Sequence, residues 1–159
     1  MINDYIKQGA SFGLTSGIIT TLGLMIGLAA GTHSSIAVLG GIFTIAVADA
    51  FSDALGMHIS SEAKKKHSLR GIWEATLSTF GAKLVIALTF AVPVILLGLD
   101  NAVIASIVWG ITALGVLSYF VAKQEKEDPL HVIAEHLLIA IVVILATNWV
   151  GSTVSVVFS

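Results

Sequence analysis

Apolar residues run along this chain in five long stretches broken by short polar punctuation. The periodicity inside each stretch is helical, and each is long enough to cross a bilayer, which takes about 20 residues. The pattern predicts helices over Ser11–Ala30, Ser35–Ser60, Gly71–Gly98, Ala102–Ala122 and Leu130–Val157. Gly31-Thr32-His33-Ser34 separates the first two, and Leu99-Asp100-Asn101 separates the third and fourth. Asp128-Pro129 opens the fifth as an N-cap followed by proline at the first helical position. Pro93 predicts a kink within the third.

Composition agrees with that pattern. Of 159 residues 56% are hydrophobic and 11% charged, against about 25% charged in an ordinary soluble domain. Mean hydropathy is +0.96. The reading is an all-α, polytopic membrane protein, a single five-helix transmembrane domain over residues 1–159, with no cleavable signal peptide. Cysteine is absent, which excludes disulfides, thiolate ligands and thiol nucleophiles. Nothing marks a nucleic-acid-binding protein.

The basic residues lie in alternate connections. Lys7 precedes the first helix; Lys64, Lys65, Lys66 and Arg70 lie between the second and third; Lys123 and Lys126 lie between the fourth and fifth. By the positive-inside rule the N-terminus is cytoplasmic and the C-terminus outside. The expected location is the plasma membrane of a prokaryote.

Candidate chemistry concentrates on the second helix. Asp49 and Asp53 sit one turn apart on one face of an apolar span that contains no basic residue. An ionised carboxylate at mid-membrane costs about 2.5–3.5 kcal/mol on insertion scales, so a cation, a lysine, water or a proton must compensate. Met57 lies beside this face, and Ser16 and Thr20 on the first helix offer oxygens. These five residues are the expected transport path.

Further ligands for a metal are expected at one end of the bundle: Glu62 and His58 where the second helix ends, Glu74 where the third begins, and His131 with Glu135 at the start of the fifth. With Asp53 they form the predicted metal set. Glu and His residues at helix ends also simply meet water at the headgroups. Lys83 lies about 18 Å along the third helix from Gly71, at 1.5 Å per residue. Asp49 is at comparable depth, so a structural Asp49–Lys83 ion pair is expected, leaving Asp53 as the metal-facing acid. The glycines at four-residue spacing in the first helix (Gly13 and Gly17, then Gly23, Gly27 and Gly31) predict close helix packing or dimerisation.

Two segments carry a family resemblance. GLTSGIITTLGLMIGLAAG, residues 13–31, and AFSDALGMHISSEA, residues 50–63, resemble the first- and second-helix motifs of the vacuolar iron transporter family. Ser16 stands at that family's first-helix acid, Asp53 at its second-helix methionine and His58 at its tyrosine. The short, basic connection after the second helix replaces the glutamate-rich extension of many members. The resemblance implies a dimeric, proton-coupled transporter carrying ferrous iron or manganese out of the cytoplasm. Its path would line the first and second helices. No permanently bound cofactor is implied; the partners are metal ions, protons, the bilayer and a second copy.

Two other readings stay open at this point. One is a non-transporting helical protein held by a structural Asp–Lys cluster. The other is an intramembrane metal-dependent phosphotransferase, since Asp49-x-x-x-Asp53 matches the tail of a lipid-phosphotransferase motif. Its upstream half is missing and no arginine lies within a span, so an enzyme is not expected.

Overall fold

The computed structural model describes residues 4–63 and 68–158. Lys64, Lys65 and Lys66, which carry much of the expected charge asymmetry, lie outside them. Six helices follow in order: α1 Asp4–Thr32, α2 Ser35–Glu62, α3 Leu69–Thr89, α4 Ala91–Leu96, α5 Leu99–Glu125 and α6 Pro129–Phe158. There is no strand among the described residues. With α3 and α4 taken together, five helical segments are long and apolar enough to cross a membrane.

Helix ends follow local chemistry. Ser34 caps α2 by accepting from Ala37 N, and Ser68 caps α3 by accepting from Gly71 N. Asp128 accepts from Leu130 N at 3.1 Å, with Pro129 as the first residue of α6. Lys126 ends α5 in the left-handed region at φ 62°, its N–H bonded to Ala122 O. The helices exceed the expected spans because polar first and last turns, such as Asp4–Gln8, continue the helix beyond the apolar stretch.

The third span differs from the expected continuous helix. It breaks at Phe90, three residues before Pro93. Proline has no N–H to offer Thr89 O, and its ring crowds that carbonyl. Phe90 N therefore bonds Ala87 O in a tighter turn. Thr89 Oγ1 donates to Ile86 O at 2.6 Å and accepts from Trp109 Nε1 at 3.0 Å, tying the break to α5.

α1 is the central helix. Half of its apolar stretch is buried, against 6% for α6, which otherwise presents an apolar surface suited to lipid. Two glycine ridges explain α1's position. Side chains at Gly9 or Gly13 would run into the Ala75 and Thr79 carbonyls of α3. Farther along, Gly23, Gly27 and Gly31 face Val143, Thr147 and Gly151 of α6. Both sets expected to pack thus do so within one chain, with backbones in direct approach. Ile18, Leu22, Met25, Ile42, Phe90 and Leu114 fill the apolar core between the helices.

Candidate functional site: a buried lysine between two carboxylates

The α1–α3 contact carries the site. The two helices run parallel, with Gly9, Gly13 and Gly17 facing Ala75, Thr79 and Lys83 in turn. At Gly17 the missing side chain makes room for the lysine stem: an added Cβ would lie 3.2 Å from Lys83 Cγ. The stem crosses α1 there, and Lys83 is only 1% exposed.

Its ammonium reaches three oxygens from two other helices. Lys83 Nζ donates to Ser16 Oγ at 2.8 Å and to Asp53 Oδ2, and lies 2.5 Å from Asp49 Oδ2. The Asp49 contact has ion-pair distance but not hydrogen-bond direction, and Asp49 Oδ2 has no hydrogen-bond donor. We therefore treat it as coulombic.

The expected Lys83–Asp49 pairing thus describes only part of the cluster. Lys83 sits against both acids, and Asp53, expected to remain free, takes the aligned bond. The cause is helical: one turn separates the acids, so a flexible ammonium at intermediate depth reaches both. Two carboxylates and one ammonium leave the cluster one negative charge if both acids are ionised. The acids are partly open, with side-chain exposures of 26% for Asp49 and 19% for Asp53. Asp49 lines a groove of about 450 Å³ with Leu24, Gly41, Thr44, Ile45, Ala48 and Ser52.

The other path residues divide. Thr20 Oγ1 is buried with no hydrogen-bond partner, as are Thr21 Oγ1 and Ser106 Oγ. Met57 is buried, and its sulfur accepts from Ser61 Oγ at 3.8 Å on its own helix. That contact occupies the thioether expected to face a metal.

The expected metal set does not assemble. Among the described residues no three His, Asp or Glu side chains gather closely enough to hold a metal ion. Glu74 pairs with Arg70 at 2.8 Å. His131 and Glu135 are exposed on α6, which packs on α1 and α5, so α1 stands between them and the acids of α2. His58 and Glu62 do meet, with Nε2 to Oε1 at 3.6 Å.

His58 has a further constraint. Its Nδ1 is 3.0 Å from Thr76 Oγ1, whose own proton goes to Ile72 O at 2.8 Å. Both contacts hold together only when Nδ1 carries a proton and donates. His136, which the sequence did not single out, repeats the device. Its Nδ1 is 2.8 Å from buried Ser118 Oγ, which donates to Leu114 O at 2.6 Å. A histidine and a serine inside two apolar stretches were the available signal; their pairing across helices was not.

The fold and cluster define a class: an all-helical integral membrane protein with a lysine-bridged acid pair inside its bundle. No family model, curated protein or solved structure matches the chain.

Proposed function

We propose that this protein is a proton-coupled cation transporter whose exchange centre is Asp49, Asp53 and Lys83. One observation carries the reading: a sealed ammonium lies against two partly open carboxylates, so one charge goes unmatched, where charge is expensive, whenever both acids are ionised. A purely structural pair needs one acid. The second acid makes the centre dependent on a proton or cation arriving from elsewhere.

The cargo in this reading is a divalent transition metal, iron or manganese, moved out of the cytoplasm, as the family resemblance implies. Charge balances as follows. With one proton on the acid pair and Lys83 as ammonium, the centre is neutral. A divalent ion entering displaces the carboxyl proton and one ammonium proton, leaving two carboxylates, the metal and a neutral amine. The centre is neutral again, at two protons exchanged per metal. Ser16 and Thr20 supply further oxygens, and His58 with Glu62 forms the cytoplasmic mouth, with the N-terminus on that side.

A homodimer belongs to the same reading. Gly40, Thr44, Ala48, Ser52, Gly56 and Ser60 form an exposed stripe of small residues along α2. Added side chains at Gly40 and Gly56 would meet nothing within 4 Å of this chain, unlike the α1 glycines. A second copy seated on that stripe would lie beside Asp49.

The test is metal uptake by proteoliposomes under an imposed pH gradient. Wild type is expected to move Fe²⁺ or Mn²⁺ and Asp53→Asn to lose at least 90% of that flux; equal flux in the two proteins would eliminate the mechanism. The non-transporting alternative is favoured by the Lys83 ammonium lying against three oxygens of its own chain, with aligned bonds to Ser16 and Asp53 and close contact with Asp49. It requires that wild type itself move no metal.

A further inference from the structure

We infer that the centre also holds a small, hard monovalent cation of the sodium type, seated between the Asp49 carboxylate and the Thr20 hydroxyl. The inference uses the cluster described above but does not need the transport reading.

Charge selects the valence. Lys83 remains in place in this structure, and its aligned bond goes to Asp53. Asp49 lies as close to the ammonium but accepts no aligned bond, so it keeps unfilled acceptor capacity, and with both acids ionised the cluster carries one unanswered negative charge. One monovalent ion cancels that charge while leaving the ammonium and all its contacts intact. A divalent ion would leave a positive excess unless Lys83 also lost a proton.

Geometry selects the place. α1 and α2 run antiparallel, and Ser16 and Asp53 meet at the Lys83 ammonium. Stepping one turn along each helix brings Thr20 level with Asp49. Leu24, one further turn along α1, lines the groove beside Asp49, which continues the same register.

Thr20, like its neighbour Thr21, differs from other threonines inside the bundle. Thr76, Thr79 and Thr147 each donate to the carbonyl four residues back. Thr20 Oγ1 makes no such bond and has no partner, though it is buried. A buried hydroxyl without a partner costs about 1–3 kcal/mol, so a neighbouring ligand would relieve a real deficit. The groove reaches the Asp49 side of this seat, and Thr44 and Ser52 add hydroxyl oxygens to its wall.

Chemistry selects the ion type. The donors are carboxylate and hydroxyl oxygens, which suit hard cations. The one thioether nearby, on Met57, is engaged by Ser61, and no imidazole lines the groove.

The test uses the purified, full-length protein in detergent at fixed ionic strength, with NaCl replacing choline chloride. Radioactive sodium binding and thermal midpoint are both read. Wild type is expected to bind sodium saturably and to gain thermal stability with it. Asp49→Asn should weaken binding at least tenfold and Thr20→Val several-fold, while Thr21→Val should leave it unchanged. Thr20→Val keeps every charge, so it decides the matter should Asp49→Asn fail to fold. Absence of sodium-specific binding in wild type, or wild-type affinity in Thr20→Val, overturns the inference. Iron and manganese uptake, measured on the same preparation, separates the two claims. Metal flux without sodium binding removes only this site; sodium binding without metal flux removes only the transport reading.

Discussion

Lys83 crosses α1 at Gly17, and the position works because Gly17 has no side chain. An added Cβ would lie 2.5 Å from Ile86 Cγ2 and 3.2 Å from Lys83 Cγ. The glycine therefore determines where the ammonium sits, although it carries no charge and touches neither acid.

Gly17→Val should accordingly destabilise the protein by about 1–3 kcal/mol through overpacking and move the lysine head away from Ser16. Thermal unfolding in detergent measures the first effect. Sodium or metal affinity measures the second; wild-type values for both would show that α1 and α3 separate without consequence.

Lys83→Met removes the only cation in contact with the two acids among the described residues. Breaking a buried pair from one side costs about 3–5 kcal/mol, and a fall in thermal midpoint should report it. Adding Asp49→Asn and Asp53→Asn to Lys83→Met should restore most of the loss, since no unmatched charge then remains. Failure of that rescue would show that the lysine stem, not its charge, holds the helices.

Exchange of two protons for each divalent metal leaves the centre's charge unchanged. Metal flux should then be insensitive to an imposed membrane potential and should move two protons per metal, read by a lumenal pH dye. One proton per metal, or a steep dependence on potential, would require Lys83 to stay charged throughout.

Ser118→Ala leaves His136 Nδ1 without an acceptor inside the bundle. A loss of about 1–3 kcal/mol is expected, with unaltered metal flux, because His136 lies on α6 and the acids lie on α2. Flux falling by tenfold or more would draw His136 into the path.

The chain has no cysteine, so single introduced thiols report proximity cleanly. Ser52→Cys and Gly56→Cys on the exposed α2 stripe should cross-link two copies in oxidised membranes. Gly23→Cys, which faces α6 within the chain, should not. Equal cross-linking at all three positions would remove the α2 interface.

The spans were readable in advance because hydrocarbon imposes length and apolarity on every crossing. Pro93 announced a break but not its position, which depends on the carbonyl of Thr89 four residues earlier. Depth was readable for Lys83 and Asp49 because helical rise is constant. Azimuth was not: a four-carbon stem between two acids one turn apart has no unique partner until the crossing of α1 and α3 is known. Glu62, Glu74, His131 and Glu135 share an end of the bundle in sequence, but being at one depth does not bring side chains to one point. α1 stands between α6, which carries His131 and Glu135, and α2; α2 and α3 do pack together, but Glu74 turns to Arg70, and neither outcome is written into hydropathy.

The two glycine ridges of α1 have a mechanical consequence. Where main chains touch, there is no layer of pliant side chains to absorb sliding. On the transport reading, α1, α3 and α6 are expected to move as a single body, leaving alternation of access to the acids to α2 and the jointed α4–α5 arm.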